Sequence, residues 1–338
     1  MPTLGIAGTG LIGGSVGIGM RRRGWKVVGW DPEEARLEDA ANVGATDETA
    51  TSLSDLYETD LVLLAGPLGG IIETIPALPD TLVVTDVAGL KAPVADAAAH
   101  LKCFIPGHPM AGREFSGPTG ASGSMFRGAN WILCTDGRDG DAVSMVEDMI
   151  ESLGANPLYM TAAAHDQAVG AVSHLPQLVA ATLVDMIEND TVTELAAGGF
   201  RDVTRIAQSE PRWWTDILMS NAEVLVPIID DIRSRFETLK DAMEEGDSVF
   251  IETFLGRARQ SRMKLAAPVD SVRMVIEDRP GEFAKVGAAL AESGVDLRDL
   301  QLRHATDGGG GVLTLSVRKG EAEALTDALT EHDFRIIP

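Results

Sequence analysis

The stretch "TLGIAGTGLIGGSVGIGM", residues 3–20, decides how the first half of the chain folds. An apolar run over residues 3–7 ends in Gly8-Thr9-Gly10-Leu11-Ile12-Gly13 and passes directly into small and apolar residues at helical spacing. The three glycines have separate duties. Gly8 permits a tight turn, Gly10 lets the backbone approach a pyrophosphate, and Gly13 lets helix and strand pack closely. The helix that opens there offers free N–H groups and a positive dipole end to the same anion.

Further runs continue the pattern outward. "KVVGWD" (26–31), "DLVLLAGP" (60–67), "TLVVTDV" (81–87) and "KCFIPG" (102–107) are β-branched and continuous, as parallel strands buried on both faces are, and helical patterns lie between them. "NWILC" and "PLYM" read as further strands before about residue 160. The expectation is an α/β chain with an N-terminal Rossmann-type doubly wound sheet, the dinucleotide-binding domain, over residues 1–160. Asp31 closes the second strand, where a carboxylate accepts from ribose hydroxyls. A 2′-phosphate there would meet Asp31, Glu33 and Glu34, with Arg36 one turn on, so the pattern favours NAD over NADP. "MRRRG" (20–24) resembles a phosphate clamp, but it ends the first helix, where cations complement the dipole.

Helical periodicity then runs over residues 161–266 with more apolar faces than one copy can bury, which predicts a substrate and dimerisation domain in a homodimer. After a linker, residues 270–338 read βαββαβ, the ferredoxin-like split.

Composition narrows the function. A net charge of −23 over 338 residues excludes nucleic acid and anionic membranes as partners. No apolar run reaches the ~20 residues of a membrane span. The opening residues have no signal core, so a cytoplasmic enzyme is expected. Cys103 and Cys134 have neither C-x-x-C nor zinc spacing and read as buried free thiols, with no metal expected.

In open α/β sheets ligands meet the carboxyl ends of the strands. "AGPLGG" (65–70, with Pro67), "DVAGLK" (86–91) and "GHPMAGREFSG" (107–117) occupy such ends. The breakers in the last of these mark a loop facing the nicotinamide. His108 there suits removal of a hydroxyl proton, provided its imidazole is neutral. His100, His304 and His332 read as structural, and His165 as surface or capping. His174, in "SHLPQ", fits either core or cleft. Arg201 and Arg205 are one helical turn apart in "GGFRDVTRIAQSEPRWW" (198–214), and their planar forks suit carboxylates.

Together "GTGLIGGS", "GHPMAGREFSG", "SHLPQ" and "GFRDVTRIAQSEPRWWTDI" resemble the prephenate dehydrogenase family over nearly the whole chain. The resemblance implies NAD-dependent oxidative decarboxylation of prephenate to 4-hydroxyphenylpyruvate in tyrosine biosynthesis. His108 and Arg205 fall on the catalytic positions, Arg205 as the carboxylate binder. His174, Gln177, Trp214 and Lys91 fall among the substrate positions, and Gly8, Gly10, Leu11, Ile12, Gly13, Asp31 and Pro67 among those of the cofactor. Two residues depart from the family pattern. Gly89 stands where Ser is usual, and Gln177 where a second His is usual, which leaves arogenate, or a catalytically silent amino-acid sensor, as alternative readings. "DRPGEFAKV" resembles an ACT domain, a regulatory fold in which Asp278, Pro280, Gly281 and Asp296 would hold an effector such as L-tyrosine.

Overall fold

The computed structural model describes residues 1–111, 117–187, 198–265, 269–304 and 310–337. They form two compact units, Met1–Arg235 and Phe236–Pro338.

The first unit is built on six parallel strands, β1 (Thr3–Ala7), β2 (Lys26–Trp30), β3 (Glu48–Thr49), β4 (Leu61–Leu64), β5 (Val84–Asp86) and β6 (Phe104–Ile105). Their order is β3-β2-β1-β4-β5-β6. Every residue of β4 is buried, because apolar layers cover both faces of the sheet. One layer joins Leu4, Ile6, Leu61 and Leu63 to α1 (Leu11–Arg21) through Val16 and Met20. The other joins Val62, Leu64 and Val84 to Ile71 and Val94. Those two residues belong to α3 (Leu68–Thr74) and α4 (Ala92–Ala97), while α2 (Glu34–Asn42) follows β2. Strand order reverses between β1 and β4, the crevice in which such sheets bind dinucleotides.

Past β6 the strands leave this sheet. β7 (Gly107–Pro109) runs antiparallel to β8 (Asn130–Leu133), which runs parallel to β9 (Asn156–Tyr159), and the three form a sheet of their own. The stretch read as a loop from its breakers therefore begins as a strand, with His108 opposite Ile132. Backbone pairing to β8 and a hydrogen bond from Gly107 N–H to Asp86 (3.0 Å) outweigh the local preference of Gly and Pro. Arg113 and Glu114 of that stretch lie outside the described residues. The helix α5 (Gly140–Ser152), capped by Asp139, completes the layer against β1 and β8.

The helical segment follows as α6 (Ala162–Val169), a π turn (Gly170–His174), α7 (Leu175–Asp185), α8 (Gly198–Thr204), a 3-10 turn (Arg205–Gln208), α9 (Pro211–Ser220), α10 (Ala222–Glu245) and α11 (Ser248–Leu265). Ala162–Asp185, 24 residues long, holds an 18-residue stretch of mean hydropathy 1.2, long and apolar enough to cross a membrane by length and composition alone. Its buried positions include His165, Asp166, His174 and Gln177, so it serves a polar site inside the unit.

The second unit contains β10 (Val269–Ile276), α12 (Glu282–Ser293), β11 (Leu297–His304), β12 (Gly311–Arg318), α13 (Ala322–Glu331) and β13 (Arg335–Ile337). The strand order β11-β12-β10-β13 is that of the split βαβ fold expected from the sequence. Alternate residues Val272, Met274 and Ile276 join Leu313, Leu315 and Val317 beneath the two helices, as period-two patterning requires.

Candidate active site

The phosphate loop is shaped by what its glycines exclude. Gly8 has φ +97°, and a Cβ there would lie 2.7 Å from the Ala65 carbonyl. A Cβ on Gly13 would come within 2.0 Å of the Gly8 oxygen. Nothing lies within 4 Å of the same position on Gly10, so open space stands over the N-terminus of α1, where Leu11 and Ile12 begin the helix. This cradle fits a dinucleotide pyrophosphate. Asp31 is buried and ties the loop down by accepting from Thr9 N–H (2.8 Å) and Glu33 N–H (3.0 Å). Arg36 is held by Glu33 (2.8 Å) with Asp31 at 3.8 Å. Pro67 caps α3 just beyond the Ala65–Gly66 backbone that crowds Gly8.

His108 stands on β7 in a directed chain of hydrogen bonds. Its Nδ1 lies 2.8 Å from His165 Nε2, and His165 Nδ1 lies 2.7 Å from Asp166 Oδ1. Asp166 also accepts from the backbone N–H groups of Lys91 and Ala92, both at 2.8 Å, which caps α4. With the Asp166 carboxylate accepting throughout, His165 carries its proton on Nδ1 and receives the Nδ1–H of His108 at Nε2. The lone pair of His108 is then on Nε2, the atom 4.0 Å from where a Cβ on Gly89 would stand. Burial, the Lys91 ammonium and the neighbouring His165 and His174 hold the His108 imidazole well below the usual 6.5. A neutral proton acceptor follows. Sequence reasoning read His165 as surface or capping. It is 1% exposed and meets the His108 ring edge-on, with centroids 5.0 Å apart.

Lys91 has a different place from the substrate contact implied by the resemblance. It is wholly enclosed and bonded to Asp86 and the Gly107 carbonyl. Asp86 also accepts from Ala88 N–H (2.8 Å) and Gly107 N–H (3.0 Å). The pair therefore fixes the residue before His108 from both sides.

His174 is buried as well. Asn221 Nδ2 reaches the Asp166 carbonyl and His174 Nδ1, each at 3.1 Å. A carbonyl only accepts, so the amide nitrogen is correctly placed, His174 Nδ1 accepts, and its Nε2 carries a proton. Trp214 meets the His174 ring edge-on at 6.0 Å. Arg205 is exposed and opens the 3-10 turn that packs along α7, while Arg201 lies in the last turn of α8.

Residues 16–159 match the family model for the prephenate dehydrogenase nucleotide-binding domain, and residues 161–255 that for its dimerization domain. A prephenate dehydrogenase of Bacillus subtilis is 28% identical over 98% of this chain and 97% of its own length. The crystal structure of prephenate dehydrogenase from A. aeolicus, in complex with hydroxyphenyl propionate and NAD+, is 31% identical. It superposes with a TM-score of 0.72, covering 79% of this chain and 99% of the other. This chain belongs to the prephenate dehydrogenase family. Synechocystis arogenate dehydrogenase is also similar, at 30% identity and a TM-score of 0.69 over 78% of this chain and 100% of the other.

In this member of the prephenate dehydrogenase family, Gly89 leaves open space beside His108 Nε2. Gln177 is buried, and its Oε1 has no hydrogen-bond partner among the described residues. Sequence reasoning missed Asp86, His165, Asp166 and Asn221. The adjacent pair His165-Asp166, early in an otherwise apolar helix, was the available signal.

The four C-terminal positions do not form one cluster. Gly281, at φ +96°, caps the start of α12, and Asp296 follows its end, about 18 Å away for 12 residues of helix. Asp296 pairs with Arg298 (2.6 Å) and Arg318 (2.9 Å). Asp278 and Pro280 lie in the turn leading to Gly281.

Proposed function

We propose that the chain is an NAD-dependent prephenate dehydrogenase, a cytoplasmic homodimer that oxidatively decarboxylates prephenate to 4-hydroxyphenylpyruvate. The observation that carries this reading is His108, neutral and with its Nε2 lone pair free. The glycine cradle and Asp31 would hold NAD, which supplies the hydride acceptor. His108 Nε2 takes the ring hydroxyl proton as the carbon beneath it is oxidised. The bond to the ring carboxylate then breaks, carbon dioxide leaves, and its electron pair completes the aromatic ring. The proton kept on His108 returns to the phenolate. Arg205 binds a substrate carboxylate, and Trp214 and the Nε2–H of His174 line the same cleft beside Gln177.

The test is NADH formation with prephenate and then with arogenate. Turnover of prephenate is expected, and His108→Asn should lower kcat by roughly 10²–10⁴-fold, the range of a general acid–base group. Full activity in that variant removes His108 from the chemistry. Arogenate is a second reading because Gln177 replaces a histidine with a neutral amide, and preferential turnover of arogenate would establish it. Failure of pure, folded protein to turn over either substrate favours the silent sensor.

The domain division 1–160, 161–266 and 270–338 belongs to the same proposal. Dimerisation is supported by exposed apolar side chains on the helices, among them Trp213, Val226, Ile229 and Leu255. Two unpaired cysteines accord with a reducing compartment. L-Tyrosine is proposed as the effector of an ACT-like C-terminal domain. Because Gly281 and Asp296 lie at opposite ends of α12, a ligand touching both would bridge two copies. Tyrosine inhibition that persists after removal of residues 270–338 would place the effector elsewhere.

A further inference from the structure

The cofactor reading leaves "MRRRG" unused, and the fold gives it a partner. Arg21 is engaged with Asp47 (2.8 Å) and the Gly44 carbonyl. Arg22 and Arg23, just past the end of α1, turn with Arg127 onto a cavity of about 240 Å³ that Ser152, Gly19 and Gly123 also line. No acidic residue lines it, in a chain with 51 acidic residues against 28 basic. Among the described residues, none of these three guanidinium groups has an ion pair or hydrogen bond. The nearest acidic neighbour in sequence, Glu151, is not among the residues that line the cavity.

Close backbone contact builds the cavity. A Cβ on Gly123 would lie 2.9 Å from Ile18, 3.2 Å from the Gly19 nitrogen and 3.3 Å from Arg22 Nη1, so only glycine lets this segment lie against the end of α1. A Cβ on Gly154 would stand 3.3 Å from Arg127 Cγ, so this glycine lets the Arg127 side chain pack closely. A helix C-terminus accounts for one or two cations through its dipole. It does not account for a third, brought in from residue 127, or for a cavity between them. Three like charges gathered without a counter-charge repel one another, and an anion between them removes that cost. The cavity is also separate from the phosphate loop: α1 has 11 residues, so its two ends are about 16 Å apart.

We propose that Arg22, Arg23 and Arg127, with the Ser152 hydroxyl, form a second anion site for a small molecule bearing a phosphate group with at least two negative charges. Guanidinium forks pair with phosphate oxygens two at a time, and the serine hydroxyl supplies one further donor. The volume is below the roughly 300–1,000 Å³ of pockets for drug-sized ligands, so the occupant is of the order of a pyrophosphate or a compact phosphate ester.

Titration calorimetry of the full chain with inorganic pyrophosphate, in low-salt buffer without and with saturating NAD, tests this. The expected result is one saturable site per chain with the same affinity in both conditions. Arg127→Ala and Arg22→Ala should each weaken it at least about tenfold, as loss of a charge-assisted hydrogen bond does. Arg127→Lys, which keeps the charge but not the fork, should fall between. The melting midpoint of each variant should match that of the parent, which separates lost binding from lost folding. No binding, displacement by NAD, or unchanged affinity in both alanine variants overturns the site. Citrate binding as tightly as pyrophosphate overturns its assignment to phosphate.

Discussion

His108 is useful as a base only while it is neutral, and its surroundings fix both its charge and its tautomer. Burial and the Lys91 ammonium depress its proton affinity, and the His165–Asp166 chain directs the remaining proton onto Nδ1. The neutral form being the active one, kcat/KM should rise with pH through a value well below 6.5 and stay level from about pH 6.5 to 8. An acid limb centred at or above 6.5 would contradict this environment. Stability carries the same sign. Burial lowers His174 as well, so below about 6.5 the unfolded chain takes up protons that the folded chain refuses. Stability is complete above that pH and is lost as pH falls, visible as a declining melting midpoint between pH 6.5 and 5. Gly89 allows a gain-of-contact test. A hydroxyl introduced at this position would stand within reach of His108 Nε2, so Gly89→Ser should fold normally and change kcat/KM by roughly 2–10-fold, the worth of one hydrogen bond. A variant indistinguishable from the parent would show that the hydroxyl does not reach the imidazole.

At the level of elements, the site depends on how β5, β7 and α6 are tied together. Lys91 and Asp86 are a fully buried ion pair whose other hydrogen bonds go to Gly107 and Ala88. Lys91→Met would leave the Asp86 carboxylate buried without its counter-charge, at a cost of about 3–5 kcal/mol in urea unfolding, and would loosen the strand that carries His108. An unchanged unfolding midpoint would show that this pair does not anchor the site. The same elements explain what could be read from the sequence. Gly8, Gly10 and Gly13 were legible because each answers a local backbone demand at fixed spacing. His165 was not, because its partner His108 is 57 positions away on another element. His165 and His174 are nine positions apart, which at about 100° per residue places them on opposite sides of a regular helix. The π turn over Gly170–His174 inserts the extra residue that brings both into contact with the site. Only Pro176 hinted at that irregularity. β7 is hidden in the sequence for a related reason: its glycine and proline carry no strand signal, and its pairing partner comes more than 20 residues later.

Over the whole molecule, the charge works against folding while the helical apolar surface calls for burial. Val226, Ile229, Phe236, Met243 and Leu255 are exposed on α10 and α11, and a second copy of the chain is the partner that the matched dimerization model implies. An apolar interface of this kind resists salt, so sedimentation at 0.5 M NaCl should still give a dimer, and dissociation there would argue for an electrostatic one. A net charge of −23 opposes compaction in each copy and opposes bringing two copies together. Exposed charges interact over about 30 Å at 0.01 M salt but only about 8 Å at 0.15 M, so added salt screens this repulsion before it weakens the buried Lys91–Asp86 pair. The melting midpoint at constant pH should therefore rise between 10 and 500 mM NaCl, by about 2–4 °C for each kcal/mol of repulsion removed. Sodium chloride and potassium chloride should act alike, because screening depends on ionic strength and not on a bound cation. A midpoint that falls with either salt would mean that surface ion pairs, such as Arg298–Asp296–Arg318, contribute more to stability than the excess of negative charge removes.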